Sequence, residues 1–423
     1  MVDIQLAPLE RRANLSKEQR KAQKDKNIMI SDVSVGSAHT AFLTANGGKV
    51  YVQGLNNYGQ LGYGTKRNEY LPRHVTHLTG TIVKQVACGF YHTLFLTSNR
   101  EIFVSGLNNS GQLGCEADFV DDQGNSMQED PKINLFFGGL SAMQISCGAF
   151  HTAVLTDCGD IYTCGDGSVG QLGHGNKDDQ DTPVLVKIDA DELDGAMDPF
   201  TDEVVMTVEC GDFNMMAVTL AGRVYEWGTV RDKEFHKPTA FVESCPAAAG
   251  KLLTQASSGE THCAYMAIRE PRPHHQACQD IMYSLKMVLR DLRLLNYNYQ
   301  RPLLDKLMLA KPLLSRPDIG FIFHSTDELE DLVVHLSDYV HKELNKGPQG
   351  KGFTGIAELF VDDDHWDYIQ AKYRDLIGEQ QSRIRRLRTQ TSKRSGLRKF
   401  LNQVKQDCGV SLSDALLSLL GHP

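Results

Sequence analysis

Gly-Gln-Leu-Gly occurs three times in the first half of the chain, at Gly59 to Gly62, Gly111 to Gly114 and Gly170 to Gly173. A repeat of about fifty residues selects propellers and solenoids before any single residue is interpreted. Each copy follows a short run that ends on a glycine: Lys49 to Gly54, Glu101 to Gly106 and Asp160 to Gly165. Within these runs large apolar residues alternate with smaller or polar ones, the period of a half-buried strand.

A second mark stands upstream in constant phase: Gly36 with His39 and Thr40, Gly89 with His92 and Thr93, Gly148 with His151 and Thr152. The pattern then decays. Gly211 is followed by Asn214, Arg223 to Gly228 is not followed by Gly-Gln-Leu-Gly, and Gly259 with His262 opens a fifth copy that goes no further. Each copy reads as a small antiparallel sheet that covers its faces only by stacking on its neighbours. Glycine is needed where strands turn tightly and backbones approach closely. The phased histidines read as buried framework that bonds across to the next blade, not as metal ligands or catalysts.

These residues resemble the regulator-of-chromosome-condensation repeat over roughly residues 31 to 268. The resemblance implies blades of a β-propeller whose loop face docks other proteins. That family closes seven blades into a ring, whereas this chain holds about four to five. Bare strand edges are rare in folded proteins, so either the sequence is part of a longer product or another segment covers the edge. The longest loops, Glu116 to Asp130 and Lys177 to Asp198, are rich in Asp and Glu. They match no calcium-loop pattern, and we expect no metal and no cofactor.

Forty-four basic against 53 acidic residues leave a net charge of -9, which repels phosphate backbones and makes nucleic acid a poor partner. Ten cysteines are scattered, several as Cys-Gly pairs in apolar runs. They read as small buried hydrophobes in a reducing compartment, so a cytoplasmic location is expected. No apolar run approaches the ~18 residues of a membrane span. Residues 1–30 read as a polar arm.

At about Arg269 the texture changes. A proline-broken linker, 269–279, leads into an all-α region over 280–423 in which glycine is scarce. Ile281, Leu285, Val288, Leu289, Leu292 and Leu295 fall at three- and four-residue spacings, with Lys286, Arg290, Asp291 and Arg293 off that stripe. Ser325 to Glu328 has the spacing of a capping box, and further helices are expected over 364–388 and 396–406. The whole is expected to be a helix bundle. Arg383, Arg385, Arg386, Arg388, Lys393, Arg394, Arg398 and Lys399 form a basic run, which reads as a solvated face or a peripheral contact to acidic lipid or an acidic protein.

Arg290 to Leu304 and Ile322 to Leu329, with Trp366 and Tyr373, resemble segments of a Dbl-homology domain, the helical module of exchange factors for Rho-family GTPases. A propeller followed by such a module is an alsin-like arrangement. The resemblance implies a regulator of small GTPases of Rho or Rab type, acting without chemical catalysis of its own, with Leu285, Arg290 and Arg293 on the GTPase-facing side. Leu285 stands where that family presents a glutamate, and the helix opening with Pro-x-Gln-Arg does not appear before Pro423. The C-terminal end of the module is therefore expected to be truncated. The competing expectation is a non-catalytic scaffold.

Overall fold

The structure, a computed structural model, describes residues 28–186, 204–240, 252–268, 273–345 and 380–418, without 46, 221, 231–232, 260–262, 309–310 and 409, and with Ala371 and Arg374 besides. The expected N-terminal arm, Trp366 and Tyr373 lie outside the described residues. Contacts divide the chain into two units, one ending at Glu270 and the other beginning at Pro271.

The first unit is a row of antiparallel sheets. Strands β1 (Ile30–Val35), β2 (His39–Thr44), β3 (Val50–Gly54) and β4 (Glu69–His74) pair in chain order as the first blade. The second blade consists of β5 (Val83–Cys88), β6 (His92–Thr97), β7 (Ile102–Leu107) and β9 (Ser126–Ile133), with the short β8 (Phe119–Val120) on its outer edge. The third blade follows as β10 (Ala142–Cys147), β11 (His151–Thr156), β12 (Ile161–Gly165) and β13 (Gln180–Leu185). A fourth comprises β14 (Val205–Cys210), β15 (Asn214–Thr219), β16 (Val224–Val230) and β17 (Lys233–Ala240). A fifth sheet holds two strands, β18 (Leu252–Ser258) and β19 (Cys263–Ile268). The fourth copy therefore completes its sheet although its sequence marks have decayed.

The first strand of every blade carries a register shift at the same place, between Ile30 and Asp32, Val83 and Gln85, Ala142 and Gln144, Val205 and Thr207, and Leu253 and Gln255. Such a bulge increases strand twist, and its recurrence makes the five first strands geometrically equivalent. The apolar core lies between sheets and not within any one of them. Val52, Leu61, Val86 and Phe95 pack together from blades one and two, Val104, Leu113, Ile145 and Val154 from two and three, and Leu155, Val186, Val208 and Trp227 from three and four. A lone blade would leave both of its faces wet, which is why the blades are stable only as a row.

The second unit is helical: α1 (Pro273–Arg293), a π-helical turn (Leu294–Gln300), α2 (Arg301–Asp305), α3 (Arg316–Ile322), α4 (Thr326–Asn345), α5 (Gln380–Lys393), α6 (Ser395–Cys408) and α7 (Leu412–Ser418). Helix α1 packs along α4, and α5 packs on α3, α6 and α7. Helix α1 starts inside the stretch expected to be linker, since proline fits a first helical turn, where its missing N–H costs nothing.

Two helical expectations are corrected. Val288, Leu289, Leu292 and Leu295 of the expected stripe are buried, but the buried face also takes in Met282, Lys286, Arg293, Asn296 and Tyr299, while Ile281 and Leu285 are only half-buried. The face takes in Arg293 because α4 supplies its partner: Glu330 accepts from Arg293 Nε at 3.1 Å and from Asn296 Nδ2 at 2.6 Å. At the start of α4, Ser325 takes a left-handed backbone conformation (φ 64°) and its hydroxyl lies 2.7 Å from His324 Nδ1. The Ser325 carbonyl still receives the Leu329 N–H, but its hydroxyl does not close the expected box.

Candidate interaction surface

The phased glycines and histidines form the inner seam between blades. A Cβ on Gly36 would lie 2.1 Å from the Gly89 carbonyl oxygen, one on Gly89 2.6 Å from that of Gly148, one on Gly148 2.7 Å from that of Gly211, and one on Gly211 2.5 Å from that of Gly259. Each glycine N–H also bonds the carbonyl of its own His39, His92, His151 or Asn214 at 2.9 Å. The glycine is thus pressed between its own ring and the next blade, and no side chain fits.

The rings themselves reach across the seam. His39 Nε2 lies 2.7 Å from Thr93 Oγ1, and His92 Nε2 lies 3.1 Å from Thr152 Oγ1. Those hydroxyls donate to the carbonyls of Gln60 and Gln112 at 2.7 Å. Since each threonine proton is committed, the ring donates from Nε2, which fixes the neutral tautomer. At His151 the relay stops, because Met215 stands in register where Thr93 and Thr152 stand. Neither nitrogen of that ring makes a hydrogen bond of normal geometry, although the Asn214 backbone lies near enough to favour a ring proton. Burial holds His39 and His151 down to about 4 and His92 to about 3. All three are therefore uncharged at neutral pH, consistent with framework.

The Gly-Gln-Leu-Gly corners make the outer seam. Gly59, Gly111 and Gly170 have φ near +80°, and a Cβ on them would meet the Cα of Glu129, Asp181 and His236 at 2.4 to 2.7 Å. Gly62 and Gly114 seat against the rings of Pro131 and Pro183, and Gly173 against the indole of Trp227. Each corner thus clamps the last strand of the following blade.

The residues between each seam glycine and its histidine, together with the corners, lie at one end of the strands and form an aromatic chain. Tyr58 and Tyr91 have ring centroids 5.1 Å apart, Phe90 and Phe150 5.5 Å, and Tyr91 and Phe150 6.1 Å. All four are half-buried, and Phe213 on the next blade is more open. The acidic loop of the second blade is organised by bonds of its own and not merely solvated. Lys132 Nζ binds Asp118 at 2.6 Å, Lys66 Nζ lies 3.9 Å from Asp121 and 4.8 Å from the Phe119 ring centroid, and Asp121 accepts two backbone N–H bonds from Gln123 and Asn125. The Lys132 bond holds the Asp118 carboxyl below its ordinary range, and the Asn125 bonds do the same for Asp121. Partly open aromatic rings are the side chains that interfaces favour, and carboxylates held charged favour a basic partner. Among the described residues no three His, Cys, Asp or Glu side chains are grouped to hold a metal ion. No described helix is long and apolar enough to cross a membrane.

In the helical unit, the residues expected to face a GTPase separate. Leu285 and Arg290 are half-buried, but Arg293 is enclosed in its bond to Glu330. The basic run does not form one solvated face either. Arg383 is buried and donates to the His324 carbonyl, Arg386 pairs with Asp318 at 2.7 Å, and Arg394 donates to the Leu313 carbonyl, while Arg385, Arg388, Lys393, Arg398 and Lys399 are exposed. The aromatic chain was missed in the sequence, although its positions follow the same phase as the histidines.

Seam and corner together define a repeat-built, propeller-like unit. The repeats are of the regulator of chromosome condensation (RCC1) type: the profile of that repeat matches residues 47–96, 101–155 and 158–218, and a second profile of it matches 30–60, 83–112 and 144–171. Human E3 ubiquitin-protein ligase HERC2 is 31% identical over 243 residues, which are 56% of this chain and 5% of HERC2. The ultraviolet-B receptor UVR8 of Arabidopsis thaliana is 33% identical over 209 residues, 49% of this chain and 43% of the receptor. The RCC2 homologue of Xenopus laevis is 30% identical over 218 residues, 48% and 40% of the two chains. The chain therefore spans less than half the length of these relatives. Among solved structures, human WBSCR16 aligns with a TM-score of 0.47 at 23% identity, covering 56% of this chain and 57% of that one. Prp20p of Saccharomyces cerevisiae, described with its binding to Gsp1p and histones, aligns with a TM-score of 0.47 at 21% identity over 60% and 59%.

Proposed function

We propose that this chain is a cytoplasmic regulator of small GTPases, of the exchange-factor type, in which the repeat unit docks a partner and the helical unit engages a GTPase of the Rho or Rab class. The protein acts by binding, without a cofactor, and its contact with membranes is at most peripheral. The observation that carries this reading is a contact within the helical unit. The two stretches that resemble Dbl-homology segments, Arg290 to Leu304 and Ile322 to Leu329, meet one another: Thr326 Oγ1 donates to Gln300 Oε1 at 3.0 Å, and Gln300 Nε2 donates to Asp327 at 2.8 Å. Two segments that resemble one module in sequence thus share one polar interface, as parts of such a module would.

A second reading, a scaffold that holds a GTPase without exchanging its nucleotide, is favoured by Leu285. An apolar side chain at the position of the module's glutamate has nothing with which to accept a switch-region hydrogen bond. Release of a fluorescent nucleotide from Rho, Rac, Rab and Ran proteins, with and without the purified chain, separates the two. Acceleration by an order of magnitude on one of them supports the exchange reading. Stable capture of a GTPase with an unchanged release rate supports the scaffold, and neither capture nor acceleration removes both.

A further inference from the structure

The basic run of the helical unit divides into two sets by what its members hold. Arg383 donates to the His324 carbonyl, Arg386 pairs with Asp318 and Arg394 donates to the Leu313 carbonyl, so these three fasten segments of the unit to one another. Arg388 is different. Its side chain makes no hydrogen bond or ion pair with any described residue, and it lines a cleft of about 350 Å3 where α5, α6 and the turn into α7 come together. Arg398 and Lys405 of α6 line the same cleft. Lys405 likewise has no partner among the described residues, and Arg398 has a single 3.4 Å bond to the Thr391 carbonyl in the last turn of α5. Helical spacing gathers them: Arg398, Leu401 and Lys405 stand three and four residues apart and share one face of α6, as Arg388 and Thr391 do on α5.

The cleft has a fixed apolar side. Leu387 and Leu412 are each 3% exposed, and Leu401 is half-buried beside them. The turn into α7 is closed from within: the Asp414 N–H donates to Ser411 Oγ at 3.1 Å, and that hydroxyl donates to the Asp414 carboxylate at 2.5 Å. Asp414 is thus engaged in its own turn, and the described lining contains no Asp or Glu. Thr391 and Ser392 commit their protons to the carbonyls of Leu387 and Thr389. Asn402 and Ser413, also in the lining, have side chains without a partner among the described residues, which leaves an amide and a hydroxyl to donate. Three cations gathered about an apolar wall with no carboxylate in the lining repel one another, and an anion among them relieves that repulsion.

The lining selects among anions. Its volume is that of a small-molecule site, larger than a single inorganic ion needs. Two guanidinium forks match the oxygens of phosphate groups, while the amide of Asn402 and the hydroxyl of Ser413 suit ring hydroxyls. No aromatic side chain stands in the described lining for a base to stack on, which sets nucleotides aside. We propose that this cleft binds a multiply phosphorylated headgroup of the inositol phosphate class, held by Arg388, Arg398 and Lys405. The proposal does not depend on the exchange reading. A soluble inositol phosphate and a phosphoinositide lipid present the same chemistry, and the two sources are separated by experiment.

The test is isothermal titration of the full chain with inositol trisphosphate at low salt. Saturable binding is expected, weakened by about tenfold or more when Arg388→Gln and Lys405→Gln are combined, since two charge-assisted contacts are lost. Combining Arg385→Gln with Lys399→Gln removes the same charge from exposed members of the run outside the cleft, and is expected to leave the affinity within about twofold. Asn402→Asp, which sets a carboxylate in the lining and touches no cation, is expected to weaken binding as well. These positions are all exposed, so each variant is expected to keep the wild-type circular dichroism. Absence of binding, or equal losses in the two paired variants, overturns the proposal. Co-sedimentation with phosphatidylcholine vesicles carrying phosphatidylinositol bisphosphate, or phosphatidylserine at the same total charge, then identifies the source. Capture by the first vesicle alone, lost in the cleft variants, assigns the lipid; titration without capture assigns the soluble molecule. Equal capture by both vesicles that the cleft variants leave intact excludes a headgroup site.

Discussion

At the scale of residues, the glycine–histidine pairs are held by sterics and by a single committed proton. Gly89→Ala would place a Cβ 2.2 Å from the His92 ring and 2.6 Å from a backbone oxygen. Overpacking against backbone relaxes poorly, and we expect a loss of about 3 kcal/mol in urea unfolding, the upper end for overpacking. Gly138→Ala, where a Cβ would meet nothing within 4 Å, is the control and is expected to be nearly silent. Thr152→Val keeps the shape but leaves His92 Nε2 and the Gln112 carbonyl unpaired, a cost of about 1–3 kcal/mol. The histidines also set an acid limit. Their folded values, about 3 to 4, lie below the ordinary value near 6.5, so the unfolded chain binds the extra protons. Stability is therefore complete above about pH 6.5 and falls as pH drops toward 4, by up to about 1.4 kcal/mol per pH unit for each ring. Glu209 works in the opposite sense, because burial raises its carboxyl to about 7. Its folded form prefers the proton, its contribution is lost as pH rises through 7, and Glu209→Gln is expected to raise the melting temperature at pH 8 but not at pH 5.

At the scale of elements, the helices are ordered by pairs of buried polar groups as much as by apolar stripes. Arg293 on α1 and Glu330 on α4 form an enclosed pair that also receives Asn296. Removing one partner leaves the other charge buried, so Arg293→Ala is expected to cost about 3–5 kcal/mol, whereas changing both to apolar residues of similar size should recover most of it. Thermal unfolding followed by far-ultraviolet circular dichroism checks both. The same pair explains why the helix face was misjudged in the sequence. Spacing of leucines alone put Ile281 and Leu285 in the core and Lys286 and Arg293 outside it, because a cation is ordinarily solvated. Glu330 lies 37 residues away along the chain, and no local pattern announces that it will meet Arg293.

At the scale of the whole molecule, the chain consists of two units whose apolar cores are built on different rules. In the repeat unit each core belongs to two neighbouring blades, so damage to one seam is expected to spread along the row. Hydrogen exchange on Gly89→Ala should show protection lost across blades one to three while the α1–α4 pair keeps its protection. Loss confined to the second blade would mean that the blades are stable independently. The number and kind of blades were legible in the sequence because a repeat states the same geometric demand several times over: Gly36, Gly89 and Gly148 each precede a histidine by three residues for one steric reason. Its failures were legible too, since Asn214 and Met215 mark where the relay ends. What a single sequence could not disclose was which aromatic rings adjoin and which cations are enclosed. Those facts are set by packing between segments dozens of residues apart, where one partner's burial depends on where the other lies. Local spacing thus determined the blades, their seam glycines and the change to helices near residue 270, whereas long-range contact alone decided that Arg293 is interior and that Leu285 is only half-buried.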